Sequence, residues 1–184
     1  ADPTVADLTW TPDGRALLVS ITDRTRSAIW RVPTKGGSHE VVYQGEVLRG
    51  LVPTPDGRSV LVRASDPTHP FRLARIDLKS GKLSTIYDPN PQVADWKPRT
   101  PRIFTWDSPE ASIEGVLYTP DGKGPHKLLV MPHGGPDGVT TTAFDSWAQF
   151  FVARGYAVLR PNYRGGIGYG RDFYSANRGR LGAI

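Results

Sequence analysis

The segment Thr11-Pro12-Asp13-Gly14-Arg15 recurs 43 residues later as Thr54-Pro55-Asp56-Gly57-Arg58. The residues that follow each copy also match, as in Leu17-Leu18-Val19 and Val60-Leu61-Val62. Pro-Asp-Gly sets a tight turn, and short apolar runs rich in branched side chains are typical of strands between such turns. Each repeat unit therefore predicts four short strands, which is the build of one β-propeller blade.

Two repeat units are too few for a closed propeller, because closure needs about four to eight blades. We therefore expect residues 1–95 to be the C-terminal blades of a propeller whose other blades precede Ala1. The repeat alone is also typical of interaction scaffolds without catalytic activity.

The pattern changes beyond residues 88–101, a segment with four prolines that predicts a linker. The next part of the chain predicts a pair of strands at residues 103–106 and 113–118, and then a strand at 128–131 that is buried on both faces. A helix at 144–155 and another buried strand at 156–159 follow. A strand, helix, strand order predicts a right-handed crossover and a parallel sheet. In the helix, Thr142 and Asp145 resemble a capping box, and Gly155 marks the end.

The sequence His133-Gly134-Gly135-Pro136 follows the predicted strand 128–131 directly. Loops at the carboxyl ends of strands in open α/β sheets are where ligands bind. Adjacent glycines allow a backbone N–H to face outward with no side chain in the way, and such an N–H stabilises the oxyanion of acyl transfer. The four residues by themselves fit a strand-ending turn equally well.

A second motif follows one helix later, Asn162-Tyr163-Arg164-Gly165-Gly166-Ile167-Gly168-Tyr169-Gly170. With the two motifs in this order after propeller repeats, the chain resembles the prolyl oligopeptidase family, especially its acylaminoacyl-peptidase and dipeptidyl-peptidase-like branches. Gly166 and Ile167 stand where the family has Ser-x. The resemblance implies a fold of β-propeller blades (all-β) followed by the N-terminal half of an α/β-hydrolase domain, at residues 96–184.

The resemblance also implies roles for site residues. Gly135 donates its backbone N–H to the oxyanion, and His133 shapes the loop. His133 does not act as the general base, because the base comes last in the chain order serine, acid, histidine of α/β-hydrolases. The segment from Asn162 to Arg164 belongs to the active-site rim. Arg164 binds either a substrate carboxylate or a structural acid, and the structural ion pair is favoured.

No Gly-x-Ser-x-Gly nucleophile motif occurs in the 184 residues. Ser175, the last serine, lies in a predicted helix without that context. We therefore expect the nucleophile, acid and base beyond Ile184, and the chain alone to be inactive. The intact parent is expected to be a serine peptidase that cleaves peptide or acyl-peptide bonds through an acyl-enzyme, with a propeller that restricts access. The alternatives are an esterase of the same fold and a non-catalytic propeller scaffold.

Composition excludes several other classes. The chain has no cysteine, and its four histidines are too dispersed for a zinc site, so neither metal nor cofactor is expected. Residues 154–184 contain six arginines and one acid, Asp172, and this excess equals the net charge of +5 of the whole chain. Few aromatic residues alternate with these arginines, so the segment does not have the pattern of a surface that binds single-stranded nucleic acid. These arginines are expected to pair with acids beyond the C-terminus.

No membrane span or secretory leader is visible in the sequence, and we predict a cytoplasmic location. The expected partners are a peptide substrate and the remainder of the parent chain, a homo-oligomer is left open, and neither nucleic acid nor membrane is expected.

Overall fold

The two repeat units form two four-stranded antiparallel sheets in the computed structural model, which describes residues 3–109, 111–135 and 137–179. The strands of the first sheet are β1 (Thr4–Trp10), β2 (Ala16–Asp23), β3 (Arg26–Pro33) and β4 (Glu40–Gly45). Those of the second sheet are β5 (Val47–Pro53), β6 (Ser59–Asp66), β7 (His69–Asp77) and β8 (Leu83–Tyr87). Both sheets follow the chain order from edge to edge, so the repeat corresponds to a shared connectivity.

The repeated Pro-Asp-Gly turns have the same geometry in both sheets. In the first turn the Asp13 carboxylate accepts hydrogen bonds from the Thr11 hydroxyl at 2.6 Å and the Arg15 N–H at 3.1 Å. In the second turn Asp56 accepts from Thr54 at 2.6 Å and from the Arg58 N–H at 3.0 Å. These short-range bonds explain why the turn could be recognised from sequence alone.

One apolar core joins the first two sheets. Side chains from both sheets are fully or almost fully buried in it, among them Leu18, Ile29, Val60, Val62 and Ile76. Each sheet therefore covers a face that the other would otherwise expose to water.

The proline-rich segment contains a 3-10 helix at Pro91–Trp96, anchored by the buried side chain of Val93. The chain then enters a third sheet of strands β9 (Arg102–Ser108), β10 (Ala111–Tyr118), β11 (Leu128–Val130) and β12 (Ala157–Asn162). Helix α1 (Ser146–Val152) connects β11 to β12, and helix α2 (Arg171–Ser175) follows β12. The predicted strand pair and the strand, helix, strand unit are thus present.

The third sheet is mixed, whereas the sequence pattern predicted a parallel sheet. Its order is β11-β12-β10-β9, and only the β11–β12 pair is parallel. β10 runs antiparallel to both of its neighbours, to β9, which a short connection joins to it, and to β12.

The expectation that strand 128–131 is buried on both faces is wrong for the described chain. β11 is the edge strand, and Leu128 and Val130 are 56% and 51% exposed. Leu129 and Met131, which alternate with them, pack against the apolar core of the third sheet. The strand therefore has one covered face and one open face in this chain.

Helix α1 is shorter than predicted and begins differently. Asp145 is its N-cap, and the Asp145 side chain accepts from the Ala148 N–H at 2.8 Å. Thr142 takes no part in a capping box, because its N–H and hydroxyl both bond to the Thr25 carbonyl at 2.9 and 3.2 Å. Gly155, with φ of +86°, lies where the chain turns after the helix, as expected.

Within residues 3–109, 111–135 and 137–179, no helix combines the length and the apolar character needed to cross a membrane.

Candidate active-site loop

The His-Gly-Gly loop (residues 133–138, of which Pro136 lies outside the described residues) begins just past the carboxyl end of β11. Gly134 and Gly135 are exposed, and Gly135 has φ of +144°. A Cβ atom on Gly135 would lie 2.5 Å from the Asp137 nitrogen, so the backbone leaves no room for any side chain there. No neighbour lies within 4 Å of a Cβ built on Gly134. Of the two adjacent glycines, Gly135 is therefore the one that has to be glycine.

His133 fastens this loop to the end of β12. Its ring stacks on the Tyr163 ring with centroids 4.4 Å apart and planes 16° apart. The Tyr163 hydroxyl donates to the His133 carbonyl, and the His133 Nδ1 atom lies 2.9 Å from the Gly134 carbonyl oxygen. A hydrogen bond at that distance requires the proton on Nδ1. The contacts of His133 are thus with its own loop and with the second motif.

The second motif packs directly against the His-Gly-Gly loop. The Ile167 N–H donates to the Gly138 carbonyl at 3.1 Å. A Cβ on Gly166 would lie 2.9 Å from that same carbonyl oxygen and 3.2 Å from the Tyr163 carbonyl oxygen. This close approach gives a physical reason for glycine at 166. The structure therefore brings together the two motifs that sequence analysis singled out.

Asn162 forms a clamp that the sequence did not reveal. This residue ends β12 and is 1% exposed. Its side-chain oxygen accepts from the Thr140 N–H at 2.6 Å, and its side-chain nitrogen donates to the Thr140 carbonyl at 2.9 Å. The same nitrogen donates to the Tyr169 hydroxyl at 2.8 Å. Sequence analysis placed Asn162 at the start of the second motif and at the active-site rim, but it did not predict these bonds.

A buried acid continues this network. The Tyr169 hydroxyl donates to Glu114 Oε1 at 2.9 Å, and Glu114 Oε2 lies 3.0 Å from Arg24 Nη1. Burial, together with the adjacent Glu114 carboxylate, raises the pKa of Tyr169 far above its usual value. Tyr169 therefore stays protonated and donates to Glu114 at ordinary pH. The ion-pair partner of Glu114, Arg24, lies in the turn between β2 and β3 of the first sheet, whereas Glu114 itself lies in β10.

The expectation that the C-terminal arginines pair with acids beyond the chain is wrong for Arg160, which has its acidic partner inside the chain, and stays a prediction for the others. Arg160 forms an ion pair with Asp145 at 3.0 Å, and the Arg154 guanidinium lies 3.6 Å from the centroid of the Phe150 ring. The Asn177 amide donates to the Arg164 carbonyl, while the role of the Arg164 side chain stays a prediction. Arg180 lies outside the described residues.

A separate cavity of about 730 Å³ lies between the proline-rich segment and α1. Its walls include Trp96, Arg99, Phe144 and Phe150. None of the described residues that line it belongs to the His-Gly-Gly loop or to the second motif, so it is not a candidate for acyl transfer. Ser175 lies in α2, in agreement with the predicted helix.

Comparison with known proteins gives matches in both sequence and structure. Residues 142–184 match the model of the prolyl oligopeptidase family. A dipeptidyl aminopeptidase BIII of Pseudoxanthomonas mexicana is 31% identical over 116 residues, which cover 57% of this chain and 17% of that protein. The human acylamino-acid-releasing enzyme is 38% identical over 74 residues, 38% of this chain and 10% of that protein.

Solved structures show the same fold. An uncomplexed acylaminoacyl peptidase of Pyrococcus horikoshii superposes with a TM-score of 0.79 at 21% identity, covering 95% of this chain and 27% of that one. A puromycin-hydrolyzing peptidase of Mycobacterium tuberculosis gives a TM-score of 0.72 at 21% identity, covering 94% of this chain and 27% of that one. The chain thus spans about a quarter or less of the length of these relatives. The chain thus resembles the prolyl oligopeptidase family in sequence and shares the fold of these solved structures across almost its whole length.

Proposed function

We propose that this chain is part of a serine peptidase that hydrolyses peptide or acyl-peptide bonds. Residues 1–95 would be the C-terminal blades of a β-propeller, and residues 96–184 the N-terminal part of an α/β-hydrolase domain. The connectivity shared by the first two sheets and the position of the His-Gly-Gly loop after β11 support this division. The propeller would restrict access of large folded substrates to the site.

The observation that carries the proposal is the conformation of Gly135 at the carboxyl end of β11. Gly135 is exposed to solvent, and its backbone leaves no room for a side chain. In acyl transfer, the serine hydroxyl adds to the carbonyl carbon, and negative charge develops on the former carbonyl oxygen. The Gly135 N–H is the donor that we assign to that oxygen. Expulsion of the amine leaves an ester on the serine, and water then hydrolyses this ester to release the acid.

The nucleophile, its base and its acid are assigned to the remainder of the intact protein, since the 184 residues contain no Gly-x-Ser-x-Gly motif. His133 is assigned to holding the loop rather than to proton transfer, because its ring is stacked on Tyr163 and its Nδ1 faces the Gly134 carbonyl. The same loop would serve esters, but the two propeller-like sheets favour a peptidase.

A serine-directed fluorophosphonate probe is expected to label the intact protein once per chain and to leave the 184-residue chain unlabelled. An activated serine is needed for this reaction, and no serine of the chain has the required context. Mass spectrometry after labelling measures the stoichiometry. Labelling of Ser175, or of any other serine in the 184 residues, would contradict the assignment of the nucleophile. An intact protein that is not labelled at all would contradict the proposed activity.

Replacing His133 tests how the loop is held. In the intact protein, His133→Ala removes both the ring stack on Tyr163 and the Nδ1 contact with Gly134, and kcat should fall at least about tenfold because the Gly135 donor loses its fixed position. His133→Phe keeps a ring for stacking and should retain more activity than the alanine variant. Steady-state hydrolysis of an acyl-aminoacyl p-nitroanilide gives kcat and KM. Equal, wild-type values for both variants would show that His133 does not hold the loop.

A further inference from the structure

The turn between β2 and β3 reaches from the first sheet into the third-sheet region. The Arg24 N–H donates to the Gly168 carbonyl at 3.0 Å, and the Thr25 carbonyl accepts from the Thr142 N–H at 2.9 Å. Gly168 lies so near that a Cβ on it would be 3.3 Å from the Arg24 nitrogen. This one turn therefore contacts both the second motif and the segment that follows the His-Gly-Gly loop.

The Arg24 side chain supplies the countercharge to a buried carboxylate. The Glu114 side chain is 9% exposed, whereas that of Arg24 is 57% exposed, and the two meet at 3.0 Å. Among the described residues, Arg24 is the cation that forms an ion pair with Glu114. A carboxylate at this depth is unfavourable without a cation or hydrogen-bond donors, so loss of Arg24 would leave only the Tyr169 hydroxyl as its partner.

The contacts continue without interruption from Glu114 to the loop. Tyr169 joins Glu114 to the Asn162 amide, with distances of 2.9 and 2.8 Å. Asn162 in turn holds both backbone groups of Thr140, two residues after Gly138. The Asn162 side-chain nitrogen bonds both to the Tyr169 hydroxyl and to the Thr140 carbonyl. A rotation of Tyr169 would therefore disturb the clamp on Thr140 directly.

We propose that Arg24, a residue of the first sheet, is a positioning residue for the His-Gly-Gly loop and acts through Glu114, Tyr169 and the Asn162 clamp on Thr140. The guanidinium neutralises the Glu114 carboxylate and keeps it as the acceptor for Tyr169. Tyr169 then presents its lone pair to the Asn162 nitrogen, and the clamp fixes the backbone at Thr140. The catalytic consequence of this link rests on the proposed function, whereas the link itself does not.

The experiment compares Arg24→Gln with Arg31→Gln in the intact protein. Arg31 is a matched control because it also belongs to the first sheet and also forms an ion pair, with Glu40 at 3.1 Å, but this pair does not reach the third sheet. Arg24→Lys restores a positive charge and serves as the conservative variant. Any of these changes leaves the Arg24 backbone bond to Gly168 available.

The first readout is hydrogen exchange of the Thr140 amide, which does not depend on activity. It should become about tenfold faster in Arg24→Gln and change less than about twofold in Arg31→Gln, with Arg24→Lys close to the unmodified protein. The Val158 amide, in the centre of the third sheet, reports global opening and should not change. Equal Thr140 exchange in the two glutamine variants would overturn the proposal.

The second readout separates positioning from simple structural support. The kcat of Arg24→Gln should fall about 3- to 10-fold with KM nearly unchanged, and Arg24→Lys should recover most of it. Faster Thr140 exchange with unchanged kcat would overturn the positioning role. If the intact protein hydrolyses neither peptides nor esters but Thr140 exchange responds as expected, the link from Arg24 to the loop is supported and the proposed function fails.

Discussion

Replacing the Gly135 amide with an ester in the intact protein is expected to lower kcat about 100- to 1,000-fold. The substitution of glycolic acid for Gly135 exchanges the N–H for an oxygen atom and adds no other atom. The loss of one oxyanion donor typically raises the barrier by about 3 to 4 kcal/mol, because the negative charge of the tetrahedral intermediate then lacks a preorganised partner. Steady-state kinetics on an acyl-aminoacyl p-nitroanilide would measure the effect.

The structure shows why side-chain substitutions are poorer tests at this position. Alanine keeps the N–H of Gly135, but its methyl group would lie 2.5 Å from the Asp137 nitrogen, and φ of +144° is unfavourable for alanine. Gly135→Ala would therefore move the loop as well. The comparison variant is the same ester at Gly134, which keeps the Gly135 N–H, so its kcat should fall far less than that of the Gly135 ester. If the Gly135 ester kept full activity, the Gly135 N–H would not be an oxyanion donor, and the loop would be only a turn that ends a strand.

Asn162→Leu in the intact protein is expected to lower the free energy of unfolding by about 3 kcal/mol. Leucine is similar in size but cannot bond to Thr140 or Tyr169, so the N–H and carbonyl of Thr140 would stay buried without the partners they have now. Each buried group left unsatisfied costs about 1 to 3 kcal/mol. Thr140 is 1% exposed, which leaves little access for water as a substitute partner. Urea unfolding followed by circular dichroism measures the change.

The control for this experiment is Asn90→Leu. Asn90 precedes the 3-10 helix and makes no side-chain capping bond there, so leucine should change the free energy of unfolding by less than about 0.5 kcal/mol. If both leucine variants unfolded at the same urea concentration as the unmodified protein, the Asn162 clamp would have no net value for stability.

Features that depend on neighbours in the sequence were predicted well. The two Thr-Pro-Asp-Gly-Arg turns, the strand pair β9 and β10, and the end of α1 near Gly155 all rest on bonds or backbone angles within a few residues. The N-cap of α1 was predicted three residues early, at Thr142 instead of Asp145, because Thr142 bonds to a distant part of the chain. Its N–H and hydroxyl both bond to Thr25, 117 residues away.

The sequence by itself determined the repeat, the linker, the two motifs and the place of the His-Gly-Gly loop after a strand, because periodicity and turn chemistry are local properties. Only the tertiary structure decided that β11 is an edge strand and that Gly135 excludes a methyl group. It also decided that Glu114 meets Arg24 across 90 positions of the chain and that Asn162 holds Thr140. These contacts depend on how sheets dock, and no local pattern specifies which distant polar groups meet when the apolar faces are covered.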